Sequence, residues 1–283
     1  KADLNIDSGK IDKFTYRKLK TTLMLEANIL YLEALECNAL GGKVSGKSRM
    51  DFADIEAPRY QFNFKMDELS LEQCFKLFDT KGKMITGSLS AQGDLTAKGD
   101  NAADLKRTAL GNVQIQMQQG TLKQFATLSK ILSILNVSQL LKFQLPDMSR
   151  GGMPYEKITA TLSFKDGTVS SKDLFVNSNA MNISAVGNLD MVKGEIFQTN
   201  VGVQLFQSVD KVVSLIPVVG WILTDKNRGV MTAYFEVKGN VDDPVVTAIS
   251  FKAMGRGVFD IFKNVFQLPA KVFTDTGEVF LGR

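Results

Sequence analysis

Apolar side chains recur at every second position in segment after segment of this chain, with polar side chains between them. Leu4 and Ile6 begin the pattern, and Leu19, Thr21, Leu23 and Leu25 repeat it. After the Gly41-Gly42 turn and KVSGKSRMDF come Phe62, Phe64 and Met66, then Leu89, Ala91, Leu95 and Ala97 in a Gly-punctuated stretch. Val113, Ile115 and Met117 alternate with Asn112, Gln114, Gln116 and Gln118. The second half continues with Ile158, Ala160, Leu162 and Phe164, then Met181, Ile183, Ala185, Leu189 and Met191. Val201, Val203 and Leu205, and finally Met231, Ala233, Phe235 and Val237, complete the series. A period of two places each set on one face of a strand. Many one-sided strands and few helices imply a mostly β chain, an extended, curved antiparallel sheet with helices capping its C-terminal end. Such a sheet must hide its oily face against its own fold, a second chain or a greasy ligand.

Four stretches carry helical spacing instead. LSLEQCFKLF, residues 69–78, has Ser70 as N-cap and Leu71, Cys74, Phe75 and Phe78 on one side. Gln119-Gly120 ends the strand of Val113 to Met117, and from Leu122 the period changes: Leu122, Phe125, Ala126, Leu128, Ile131, Leu132 and Leu135 fill an arc of roughly 220° at ~100° per residue. That predicts a helix near residues 121–143, wider in its apolar face than one packing contact needs. Residues 208–223 start with an N-cap at Ser208 and are apolar almost all round, with Val212, Ile216, Val219 and Trp221 among them. Pro217 kinks this stretch, which is too short to span a bilayer, so it is either a buried helix or one that dips into an interface.

Residues 251–268 form the most amphipathic of the four. Phe251, Met254, Val258, Phe259, Ile261, Phe262, Val265, Phe266 and Leu268 fill about half a helical wheel, with Lys252, Arg256 and Lys263 in a narrow band beside them. Rings below and cations at the rim suit contact with lipid headgroups. The alternative is a terminal helix docked on its own sheet as a lid.

The chain of 283 residues is 44% hydrophobic and 23% charged, an ordinary balance for one large or two small domains. It contains no histidine, which removes His-based triads and every His-containing zinc site. Its two cysteines, Cys37 and Cys74, cannot make a four-thiolate site. A net charge of +4 spread along the chain is not the concentrated footprint of a nucleic-acid binder. Asp242-Asp243-Pro244, KGDNAAD and TDKN read as turns, and SGKS at residues 45–48 lacks the upstream glycine of a phosphate loop. No catalytic constellation, metal site or cofactor site is expected. The chain does not begin with Met, and it reads as cut from something longer.

Gly93-Asp94-Leu95, Gly111-Asn112-Val113, Gly187-Asn188-Leu189 and Gly239-Asn240-Val241 form a weak, irregular repeat, read as a recurring strand entry; Gly120-Thr121 and Gly167-Thr168 read as a second recurring turn. Three regions are expected: Gly-punctuated strands with one short helix over residues 1–110, strands and helices over 111–250, and the amphipathic helix over 251–283.

The run from Gly111 to Val246 resembles the C-terminal domain of the AsmA-like proteins of Gram-negative envelopes, the group that includes AsmA, YhdP and TamB. The matching segments are QGTLKQF, SILNVSQLLKFQLPD, GGMPYEKITATLSFKDGTV, SVDKVVSLIPVVGWIL and VKGNVDDPVV, with LGGKVSG and ITGSLSAQGDLTAKG upstream. The resemblance implies a periplasmic bridge-like protein, whose taco-shaped sheet shelters phospholipid acyl chains between inner and outer membranes. It also implies an inner-membrane anchor upstream. The lipid-groove residues would then be Phe62, Phe64, Met66, Val113, Ile115, Met117, Leu162, Phe164, Met181, Ile183, Ala185, Val201, Val203, Leu205, Met231, Ala233, Phe235 and Val237. Leu122, Phe125, Leu128, Leu132 and Leu135, with Val212, Ile216, Val219 and Trp221, would close the groove end. Phe251, Lys252, Met254, Arg256, Val258, Phe259, Phe262, Lys263, Val265 and Phe266 would contact membrane. The expected partners are phospholipids and a membrane surface. The rival reading is an assembly factor that docks a β-edge on an outer-membrane or other envelope protein.

Overall fold

A computed structural model describes residues 1–77, 85–123, 125–135, 152–179, 181–206, 222–225, 230–250 and 253–267. The alternating segments become antiparallel strands of one open, curved sheet. β1 (Ala2–Ile11), β2 (Phe14–Glu26), β3 (Ile29–Ala39), β4 (Gly42–Asp51) and β5 (Arg59–Ser70) lie side by side in chain order. β6 (Ser88–Lys98), β7 (Leu110–Leu122), β8 (Met153–Lys165), β9 (Thr168–Asn177), β10 (Met181–Asp190) and β11 (Glu195–Phe206) continue the meander. Beyond β11 the order changes. β13 (Val230–Asn240) pairs with β11, and its other edge carries β12 (Ile222–Asp225) and β14 (Val245–Ile249) end to end, β12 against Val230 to Ala233 and β14 against Tyr234 to Lys238. Among the described residues the fourteen strands therefore occupy thirteen positions.

Tight turns produce the meander. Ala27-Asn28, Leu40-Gly41 and Asp166-Gly167 each join two strands through a pair of residues with positive φ, the backbone of the turn whose twist matches a hairpin's own. Inside the strands, Ala34, Glu68 and Gln198 also have positive φ where the register shifts against a neighbour. Such bulges bend and coil a sheet. Gly93, Gly120 and Gly187 correct the expectation of strand entries and turns, because all three lie within strands, whereas Gly111 does stand at the entry of β7. Gly93 shows why: a Cβ there would stand 2.3 Å from the Asn112 carbonyl oxygen on β7.

Among the described residues there are four helices: α1 (Leu71–Leu77), α2 (Ala102–Thr108), α3 (Ala126–Ile134) and α4 (Arg256–Gln267). Ser70 accepts from the Gln73 amide at 3.3 Å, as an N-cap of α1 should. α2 corrects the reading of KGDNAAD as a turn. Asn101 Oδ1 accepts from the amides of Ala103 and Asp104, both at 3.0 Å, and that cap converts the expected turn into two turns of helix. Likewise Thr224 and Asp225 of TDKN belong to β12.

α3 starts later than its apolar spacing suggests. Gly120, Thr121 and Leu122 stay paired with Tyr155, Pro154 and Met153, so β7 runs through Leu122 and the helix begins only at Ala126. Ladder hydrogen bonds to β8 outweigh the helical period there. The boundary expected at residue 110 falls inside β7, whose pairing with both β6 and β8 is continuous. Residues 136–143 of the expected helix and residues 208–221 lie outside the described residues.

Candidate functional site

Directly opposed residues on neighbouring strands share a face, so the registers trace each face across the sheet. One row runs Val44, Met66, Ala91, Ile115, Ala160. A second runs Met117, Ile158, Val176, Ile183, Val203, Ala233. Phe64 lies between Gly46 and Gly93, followed by Val113 and Leu162; Phe62 lies beside Leu95, followed by Gly111 and Phe164. Ala185, Val201 and Phe235 form another row, and Leu205 joins Met181 to the backbone position of Met231. By backbone register the eighteen residues expected to line a groove fall on one face, although nothing in their spacing announced the bulges that keep them there.

That face has two halves. From β9 to β13 it is a filled core: Met181, Val203 and Phe235 have no exposed surface, and Ile183, Val201, Leu205 and Val237 are buried. Leu128, Ile131 and Leu135, at and just after α3, pack into the same cluster. These positions have no free surface with which to line a groove, which corrects that part of the expectation. From β4 to β8 the large side chains are more open: Phe64, Met66, Ile115, Met117, Leu162 and Phe164 are half-buried, and Phe62 is 38% exposed. Tyr60 and Phe62 stack at 6.3 Å, and Phe52 meets the Tyr60 ring edge-on at 6.4 Å.

α3 packs on the filled half and reaches β14. Lys130 bonds to Asp243 and to the carbonyl oxygen of Pro244, in the turn between β13 and β14. The ammonium holds the Asp243 carboxyl below its ordinary pKa. Asp242-Asp243-Pro244 is a turn, with Asn240 Oδ1 accepting from the Asp242 amide at 2.9 Å. Leu122, at the end of β7, packs in this cluster beside Met153 and Tyr155. Tyr155 donates its hydroxyl to Thr86 O at 2.6 Å; burial, with a smaller contribution from the Glu72 charge, pushes its pKa up to about 12. Phe125 precedes the helix and is 37% exposed, while Leu132 packs partly on the core. Val212, Ile216, Val219 and Trp221 lie outside the described residues.

The opposite face is polar over β4 to β8. Asn63 donates to Asp94 at 2.7 Å and Gln92 to Gln114 at 2.8 Å, cross-strand amide pairs that face water. Further along, the same face becomes a seat. Phe175, Ser184, Gly202 and Tyr234 are consecutive partners on β9, β10, β11 and β13, and α4 lies over them. Phe262 is fully buried, 5.7 Å from the Tyr234 ring and 6.2 Å from that of Phe266. A Cβ on Gly202 would stand 2.9 Å from Phe266 Cε2, so a larger residue there must push the ring aside.

The helix is thus docked on its own sheet, the alternative reading of residues 251–268, but on the face opposite the apolar rows. Met254 and Phe262 are buried against that side, and Val258, Phe259, Val265 and Phe266 are half-buried. Arg256 and Lys263 point outward, exposed, while Phe251 and Lys252 lie outside the described residues. The seat escaped sequence reading because Ser184 and Gly202 look like ordinary solvent-side alternates. Tyr234, an aromatic in the same alternate series, was the available signal. At the seat, Ser184 Oγ is buried with no hydrogen-bond partner among the described residues.

Among the described residues no group of three or more Cys, Asp or Glu side chains could hold a metal, and no helix is long and apolar enough to cross a membrane. Cys37 and Cys74 are free thiols, both with pKa raised by burial. A model of the YhdP protein family matches residues 1–246. No curated protein and no solved structure matches the chain.

Proposed function

The chain belongs to the YhdP protein family, an envelope family of the AsmA-like group, and from that membership we propose that it is a non-enzymatic phospholipid-transfer module. The observation that carries the reading is the apolar face that runs unbroken through the registers while its β4 to β8 half keeps large side chains partly open. Acyl chains lie on that half. Headgroups stay in water, and the module passes lipid between the inner and outer membranes through the periplasm of a Gram-negative cell.

Hydrophobic shelter alone suffices for this work. At ~0.8 kcal/mol per buried methylene, a chain of about sixteen carbons left half covered gains roughly 6 kcal/mol. Such a chain is held, yet on a continuous surface each step along it exchanges one apolar contact for another. The filled core under α3, which Leu122 of β7 and Met153, Tyr155 and Ile158 of β8 already join, ends the lipid path, and the residues of α4 make the contact with membrane.

Native mass spectrometry of the purified chain tests the reading. It should retain phospholipid, and Phe64→Asp or Ile115→Asp should remove it while leaving the far-ultraviolet circular dichroism unchanged. Retention unaltered by both substitutions would refute the assignment. A second reading, docking of a β-edge on an outer-membrane protein, draws on β1, which ends the strand order and, among the described residues, has a partner on one side only. It requires indifference to those two substitutions.

A further inference from the structure

We propose that α4 is a self-docked hook, held on the polar face of its own sheet until an anionic lipid surface competes it away. The inference rests on the reading that residues 256–267 contact membrane, and adds the mechanism by which that contact is controlled.

One helix face has two mutually exclusive uses. Phe262 has no exposed surface in the docked state and Met254 is buried, so the side chains best suited to an acyl boundary cannot reach one until the helix lifts. The seat is specific: Gly202 lets the Phe262 and Phe266 rings approach β11, and Tyr234 packs against Phe259 and Phe262. It is also imperfect. Among the described residues Ser184, paired with Gly202 across β10 and β11, is fully buried with its Oγ unpartnered. Lifting the helix returns that atom to water, which lowers the cost of release. The exposed Arg256 and Lys263 supply the first attraction to a negative surface without needing to move. A ligand that binds only the lifted form shifts the population toward it.

The test uses the whole chain with vesicles of phosphatidylcholine containing phosphatidylglycerol. In Ser184→Cys, maleimide modification at position 184, read by peptide mass, should be slow in solution and at least about tenfold faster with vesicles. In the unsubstituted chain, hydroxyl-radical oxidation of Tyr234 should rise in the same way, which keeps the test valid if Ser184→Cys misfolds. In flotation, Ser184→Ala should lower the bound fraction by mending the seat, and Gly202→Leu should raise it by wedging the helix off, though neither side chain touches lipid. Flotation with unchanged position-184 and Tyr234 reactivity would overturn the hook and leave membrane contact standing. Absence of flotation in both the unsubstituted chain and Gly202→Leu would overturn the membrane reading itself.

Discussion

Lys130 on α3 donates to Asp243 in the turn between β13 and β14, a bond between residues 113 apart in the chain, and reaches the Pro244 carbonyl oxygen at 2.7 Å. It fastens the helix across the filled end of the apolar face.

The Asp243 carboxyl has its pKa lowered, so the sign is that of a group stabilised when charged. The clamp is complete above the ordinary aspartate range near ~4 and is lost as pH falls through the lower folded value. Amide exchange over residues 126–134, corrected for intrinsic rate, should therefore accelerate at acid pH. Asp243→Asn should show the faster exchange already at neutral pH, with little further change on acidification.

Tyr155 behaves in the opposite sense. Its folded pKa, about 12, lies above the ordinary value of 10, so its contribution is complete below pH ~10 and is lost as pH rises through the folded value. Absorbance titration at alkaline pH should show a late-ionising tyrosine that disappears in Tyr155→Phe. The same substitution leaves the Thr86 carbonyl without its side-chain donor and should cost about 1–2 kcal/mol in urea unfolding.

The two halves of the apolar face should respond differently to truncation. Phe235→Ala opens a cavity in a fully packed cluster and should cost roughly 3–5 kcal/mol. Phe62→Ala removes a ring that is 38% exposed and should cost no more than about 1 kcal/mol. Equal losses in urea unfolding would mean that the β4 to β8 half is packed as tightly as the rest.

The alternation of Phe62, Phe64 and Met66, or of Val113, Ile115 and Met117, was legible because a one-sided strand writes its period directly into the chain. The continuity of the face was not. It depends on bulges at Ala34, Glu68 and Gln198, non-glycine residues with positive φ that carry no local signature. The spacing of Leu122 to Phe125 and Ala126 fits a helix, while the pairing that holds it in β7 comes from Met153, thirty-one residues away. The wheel of residues 251–268 showed an apolar stripe on α4 but not which side of the sheet it covers. The side it covers carries Gly202 and Tyr234, neighbours on two different strands.

Cys37 and Cys74 should react slowly with a thiol reagent in the folded state, because burial raises both pKa values and leaves little thiolate at neutral pH. Both should become fast in denaturant. Non-reducing peptide mapping should find no bridge between them.

Ile115 and Gln114 are neighbours in the chain whose side chains project from opposite faces of β7, and their comparison tests the lipid-groove account most directly. A photo-crosslinking residue placed at each position, irradiated in cells and analysed by mass spectrometry, should give phospholipid adducts at Ile115 and none at Gln114. Adducts of equal yield at the two positions, or at neither, would contradict it.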